Sequence, residues 1–374
     1  LSLWRDHDFR SLWAGQTASQ LGAQAGQVTL PLLAVVALNA DAAQLGALRA
    51  AQQIPILLFS LFVGAWVDRW RSRNVMVLAD FGRAAALAAI PIAVLFGVLG
   101  IPVLLVLAFL VGVLTVFFDV AYQAALVRLV KRDQLAQGNS ALEGSRSAAQ
   151  VGGPALGGAL VSLLSAPIAV VAGAFFFAVS SLSIRRIRHR ESIPRHEGRR
   201  PARMRRQILE GLRFVAGDPS LRAVGLASAI FHFFFAALMT VYLLFLPRTP
   251  HLSGASVGLV LAAMGPGAIV GSLLSARLPG RLGHGGVDVT VMAVRQSITP
   301  LSMQGRVVAT LNFVGMGLTP LGSLLGGFLA TRWDLRTSLL LTVVGLFLSP
   351  SFMALSPLAR LGKELPAPGD VPAP

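Results

Sequence analysis

Apolar stretches of about twenty residues, enough for a helix to cross the hydrocarbon core of a bilayer, alternate along this chain with short polar loops. They place helices at Leu12–Leu38, Leu45–Trp66, Val75–Gly97, Val103–Val127, Ser140–Leu164 and Ile168–Ile184. A polar linker with eleven arginines between Arg185 and Leu221 interrupts the series, and its amphipathic piece near Ile208–Phe214 suits a membrane surface. Helices resume at Leu221–Phe245, Val257–Leu278, Val307–Ala330 and Ser338–Leu355. The pattern predicts an all-α integral membrane protein of about ten transmembrane helices. Its expected parts are an N-terminal six-helix bundle over 1–184, a basic linker over 185–220, a C-terminal bundle over 221–358 with four helices and a short stub, and a disordered tail over 359–374 that ends proline-rich at Pro366–Pro374.

Composition reinforces the pattern, because 55% hydrophobic and 13% charged residues leave too little polar surface to cover a soluble globule of 374 residues. The net charge of +16 would point to nucleic acid in a soluble protein. Here 25 of the 32 Lys and Arg fall in loops on one side of the predicted spans, three on the other and four inside helices. That asymmetry is the positive-inside signature, so the Arg-rich side is expected in the cytoplasm with both termini, and nucleic acid is not an expected partner. The absence of cysteine excludes disulfides and thiolate metal sites. The single Gly-Lys pair, Gly362-Lys363, precedes Glu364 and lacks the spacing of a phosphate loop, which excludes an ATP-driven pump. The six histidines are scattered, and only His232 lies within a helix, where packing explains it better than ligation. Neither a membrane enzyme nor a charge-ringed channel fits.

The halves carry a weak internal repeat. Asp119-Val120 is followed by Gln137-Gly138 and then by Pro154 with Gly157-Gly158, as Asp288-Val289 is followed by Gln304-Gly305 and then by Pro320 with Gly326-Gly327. Gly64-Ala65-Trp66-Val67-Asp68-Arg69-Trp70-Arg71-Ser72-Arg73, between the second and third spans, resembles the signature loop of the major facilitator superfamily. Leu12-Trp13-Ala14-Gly15-Gln16, Arg49-Ala50-Ala51-Gln52-Gln53-Ile54-Pro55 and Leu142-Glu143-Gly144-Ser145-Arg146-Ser147 resemble its drug, macrolide and siderophore efflux branch, which includes enterobactin exporters. The resemblance implies two pseudo-symmetric helical bundles rocking about a central cavity. It implies a monomeric secondary exporter in the bacterial inner membrane that moves a lipophilic or amphiphilic drug or siderophore-like compound, coupled to protons and using no cofactor. One departure stands out. Arg69 and Asp119 are 50 residues apart, whereas Arg281 and the repeat-related Asp288 are separated by seven, so a ninth and tenth helix are missing apart from a stub at Val287–Ala293. A truncated, transport-incompetent member with at most a scaffold role is therefore the competing reading.

The candidate site residues fall into four groups. Gly64, Asp68, Arg69, Arg71, Arg73 and Asp119, with Arg306 on the facing helix, form the expected cytoplasmic gate, unless the loop merely carries topology-setting charge. Asp80 with Arg83, and Glu143 with Arg146, are ionisable pairs at i, i+3 inside spans, open to a gating, proton-coupling or structural role. Gly153, Pro154, Gly157 and Gly158 match an antiporter-associated signature whose glycines permit close helix contact and whose proline kinks, a hinge unless it is packing alone. Gln16, Gln20, Gln24 and Gln27 share one face of the first span. Gln16, Gln20, Gln24, Arg49, Gln52, Phe231 and Phe235 are the expected lining of a neutral, partly aromatic substrate cavity, with helix packing as the alternative. No metal site is expected.

Overall fold

The computed structural model describes residues 3–67, 70–130, 134–188, 201–248, 252–263 and 304–354. Within them the chain forms helices α1 (His7–Leu32), α2 (Ala42–Val67), α3 (Ser72–Leu95), α4 (Ile101–Leu129), α5 (Leu135–Leu164) and α6 (Ala166–Arg185). There follow α7 (Pro201–Gly217), α8 (Pro219–Arg248), α9 (Gly254–Ala262), α10 (Gln304–Gly317), α11 (Thr319–Arg332) and α12 (Leu335–Ala354). No strand occurs among the described residues. Lipid offers the backbone no hydrogen bonds, and a helix meets that demand within one segment.

Among the described residues, seven helical stretches are long and apolar enough to cross a bilayer: Ser72–Leu95, Ile101–Leu126, Gln137–Leu164, Ala166–Arg185, Pro219–Arg248, Phe313–Arg332 and Leu335–Met353. Helix α1 is diluted by its glutamines and lies inside the bundle, packed on both α5 and α6 with more than half of its residues buried. Its N-terminus is set by Asp6, whose carboxylate accepts from the backbone N–H of Asp8 at 2.8 Å and of Phe9 at 3.5 Å. Two residues after Pro31, α1 passes into a π-helical turn, Leu33–Ala37, where Leu38 N–H reaches the Leu33 carbonyl at 3.2 Å.

The structure corrects the expected single helix over Val307–Ala330. It is two helices, α10 and α11, divided at Leu318. Pro320 explains the division, since its missing N–H cannot continue the ladder and its fixed φ suits the first turn of a new helix. The amphipathic piece expected at Ile208–Phe214 is the longer helix α7, whose Val215 packs with Leu221, Val307 and Leu311 of the second half. The helix expected at Val257–Leu278 is described only through Ala263, and the stub at Val287–Ala293 and the tail from 355 lie outside the described residues.

Packing differs between the two ends of the bundle. At the end away from the arginines, one apolar core joins Leu33, Leu45, Leu48, Ile90, Leu104 and Val170 of the first half to Leu243, Leu244, Leu246 and Val257 of the second. At the Arg-rich end the buried apolar residues described fall into separate clusters. One cluster, including Phe9, Met76, Phe118, Leu126 and Ile184, belongs wholly to the first half, and the Val215–Leu311 cluster belongs to α7, α8 and α10.

Candidate functional site

Two glycine seams hold the halves together away from the arginines. Where α5 meets α9, a Cβ on Gly158 would collide with the Gly254 carbonyl, one on Gly258 with the Pro154 carbonyl, and one on Gly254 would lie 2.9 Å from the Gly158 carbonyl oxygen. Side chains larger than hydrogen are therefore excluded along this line, which lets the two backbones touch. The Ser162 hydroxyl adds a bond across the same seam, accepting from Ala255 N–H at 2.6 Å. Where α2 meets α11, a Cβ on Gly46 would lie 2.8 Å from the Ser323 carbonyl oxygen and one on Gly327 would lie 2.6 Å from that of Ala42. One turn deeper, Ser323 donates to Gln53 Oε1 at 3.0 Å. Arg248, at the end of α8, closes the rim by donating to the Ala40 carbonyl.

The same face of α5 that is zipped at Pro154 and Gly158 runs toward the Arg-rich end through Gln150, Ser147 and Glu143, spaced at helical intervals and all exposed. Among the described residues the halves share glycine seams and an apolar core at one end and separate apolar clusters at the other.

Within the first half, α3 carries a buried ion pair. Arg83 donates to Asp80 Oδ1, and the two side chains are 1% and 0% exposed. Ser19 of α1 joins them, accepting from Arg83 Nη2 at 2.9 Å and donating to Asp80 Oδ1 at 3.3 Å, while Arg83 Nη1 reaches Thr115 Oγ1 of α4 at 3.4 Å. The guanidinium lies between two aromatic rings, 4.5 Å from the centre of Phe118 and 4.3 Å from that of Phe177. Asp119 lies one turn beyond Thr115 on α4. Arg146 lies 3.8 Å from Glu143 on α5, with both partly exposed. The first half thus carries ionisable side chains on α3, α4 and α5.

The predicted gate is described only in part. Asp68 and Arg69 lie outside the described residues, and Gly64 in α2 and Arg306 in α10 are described in backbone only. Arg71 is exposed at the N-cap of α3, and Arg73 donates to the Arg185 carbonyl at 2.7 Å. Arg128, which the sequence pattern does not single out, holds the same loop by donating to Ser72 Oγ at 3.0 Å and to the Trp70 carbonyl at 3.4 Å. The hinge motif divides its contacts: Gly153 and Gly157 press on Gln24 and Ala25 of α1, and Gly158 presses on α9.

Of the expected cavity residues, Gln16 is fully buried and accepts from Ser145 of α5 at 3.2 Å, so it serves α1–α5 packing. Gln20 and Gln24 are half-buried, Gln24 beside Gly153. Phe231 is exposed and stacked on Phe235 with ring centres 5.5 Å apart. Arg49 is buried on α2, and Gln52 is half-buried one turn further in. His232 bonds the Ser228 carbonyl of its own helix at 2.8 Å. Ser19, Thr115, Phe177 and the α9 glycines were not foreseen, because their partners come from other helices.

Two helical halves, joined at one end of a membrane bundle and parted at the other, define a multi-pass membrane transporter of the major facilitator type. The chain matches the profile of the transmembrane secretion effector family over residues 1–294, and it belongs to that family. It is 27% identical over 367 residues to the multidrug efflux pump Tap of Mycolicibacterium fortuitum, with 83% of this chain and 88% of that pump covered. Against Tap of Mycobacterium tuberculosis (strain ATCC 25618 / H37Rv) it is 27% identical over 274 residues, covering 68% of this chain and 62% of that protein. Its fold resembles the crystal structure of a bacterial homolog of the human lysosomal transporter Spinster, with a TM-score of 0.69, 12% identity, and 96% and 98% of the two chains covered. The nucleoside transporter NupG superimposes with a TM-score of 0.63 at 12% identity, over 95% and 99% of the chains. Transporters of this kind are not enzymes.

Proposed function

We propose that this protein exports a lipophilic or amphiphilic organic compound across the bacterial inner membrane by alternating access, with the Arg-rich end and both termini in the cytoplasm and protons as the counter-ion. The division of the apolar core carries this reading. It is continuous across the halves at one end and split at the other, which is what an inward-open state requires when the arginines mark the inside. Glycine seams suit a rocking interface, since lipid supplies no hydrophobic force between helices and close van der Waals contact must hold them. The similarity to multidrug efflux pumps supports outward movement of organic compounds. The series Asp80, Arg83, Asp119, Arg146 and Glu143 is the candidate proton path, because protonating Asp80 frees the Arg83 guanidinium for its other neighbours. Asp68, Arg69, Arg71, Arg73 and Arg306 remain the candidate latch at the inner end.

The test is to reconstitute the full chain in liposomes with a lipophilic dye and impose a proton gradient. Gradient-driven dye movement supports the reading, and its absence overturns antiport. One observation favours the truncated alternative. The alignment to the M. fortuitum pump runs over 367 residues but engages 83% of this 374-residue chain, so the pump carries a segment this chain lacks. Binding of the dye without movement in either direction would select that alternative.

A further inference from the structure

We infer that the transported compound carries an anionic group, a carboxylate, sulfonate or phosphate, that seats against Arg49. This deepens the transport reading and rests on it. Arg49 lies three residues after Gly46 and four before Gln53, and both of those meet α11, so it occupies the face of α2 turned toward the second half. It stands about 10 Å into the helix at 1.5 Å per residue, between the Gly46 and Gln53 contacts of the α2–α11 seam. Arg49 is 8% exposed, none of the hydrogen bonds, ion pairs or ring contacts of the described residues engages its guanidinium, and nothing among those residues offsets the burial of its charge.

Arg83 shows what this protein does with a buried arginine that serves the fold. It supplies a carboxylate, two hydroxyls and two aromatic rings. Arg49 receives none of these. A guanidinium held out of water inside a membrane protein is costly unless a counter-charge arrives, and a ligand that brings one is bound for that reason. Its planar fork matches two oxygens of one acidic group. Gln53 adds to the same chemistry, since its carboxamide oxygen is taken by Ser323 and its NH2 is left to donate. An apolar body attached to the acidic group would extend into the parted region, whereas a permanently cationic compound would be repelled.

Two dyes isolate the charge. 8-Anilinonaphthalene-1-sulfonate and N-phenyl-1-naphthylamine share an aromatic body and differ by the sulfonate. Their binding to the full chain in nanodiscs of zwitterionic lipid is measured by fluorescence, with empty discs subtracted. The wild-type protein should bind the sulfonate at least tenfold more tightly than the neutral dye. Arg49→Gln should erase that preference and leave the neutral affinity within twofold, and Arg49→Lys should retain part of it. Equal wild-type affinities, or a preference that survives Arg49→Gln, overturn the inference while leaving the transport reading intact. If neither dye binds the wild type, both fall together. Should Arg49→Gln fail to give a monodisperse protein, Arg49→Lys decides: a three- to tenfold loss for the sulfonate alone supports the inference, and unchanged sulfonate binding overturns it.

Discussion

The Arg-rich end and the opposite end of this bundle are built from the same helices yet obey different rules. At the opposite end, α2, α5, α8, α9 and α11 close on one another through glycines and a shared apolar core. At the Arg-rich end each half keeps its own core, and the order comes from hydrogen bonds within the first half, Arg73 to Arg185 and Arg128 to Ser72. An end held mainly by backbone contact can part at the cost of one charged bond across the halves, Arg248 to the Ala40 carbonyl. An end held by arginine clamps within one half stays rigid while the halves move. In the proposed cycle the seams are therefore the contacts that change, and the α3 ion-pair cluster, which lies within one half, is not among them.

The largest effect should come from that cluster. Replacing Asp80 by Asn leaves Arg83 buried without its counter-charge, and loss of one member of a buried pair costs about 3–5 kcal/mol. Arg83→Gln should cost a similar amount. The double variant Asp80→Asn with Arg83→Gln replaces the ions by neutral groups that can still bond Ser19 and Thr115, so most of the thermal stability in detergent should return. Gradient-driven transport should not return with it if Asp80 handles protons. Recovery of both would assign the pair to the fold alone.

Next are the seams. Gly258→Val pushes a branched side chain into the Pro154 carbonyl and Gly158, an overpacking that costs about 1–3 kcal/mol in the sealed state. Since about 1.4 kcal/mol is a tenfold change in an equilibrium, the population should move measurably toward a state open at the glycine end. The chain has no cysteine, so a single cysteine at the exposed Gln150 reports the other end without background. Its labelling rate should fall in the Gly258→Val protein, and an unchanged rate would mean that the two ends do not alternate. Ser323→Ala on the α2–α11 seam removes one hydroxyl from Gln53 and should cost about 1 kcal/mol, with a smaller shift in the same labelling assay.

How far the chain announced all this depends on the range over which each feature acts. Helices were legible because twenty apolar residues in a row have few other fates, and the pairs Asp80–Arg83 and Glu143–Arg146 were legible because i, i+3 spacing puts them on one face. Pro320 stood out as the repeat partner of Pro154, but whether a proline kinks a helix or starts one depends on what packs around it. The partners Gly158 and Gly258 are 100 residues apart in sequence, with no periodicity linking them, and the rings that cover Arg83 come from α4 and α6. Gln16 and Arg49 looked alike as polar residues in spans. Only tertiary packing separates Gln16, which bonds Ser145, from Arg49, which bonds nothing described.

The smallest expected effect tests whether the glycine end depends at all on charge. Asp334 sits in the exposed turn between α11 and α12, where its carboxylate accepts from Thr337 N–H at 3.0 Å and from Thr337 Oγ1 at 2.6 Å. Those bonds hold its acid below the usual carboxylate range. A carboxylate whose folded pKa is depressed contributes stability above the ordinary value of about 3.9 and loses it as the pH falls through the folded value. Asp334→Ala should therefore lower the thermal midpoint slightly at pH 7, and the gap from wild type should shrink as the buffer is taken from pH 5 toward pH 3. A gap that stays constant across that range would show that the residue acts through something other than its charge.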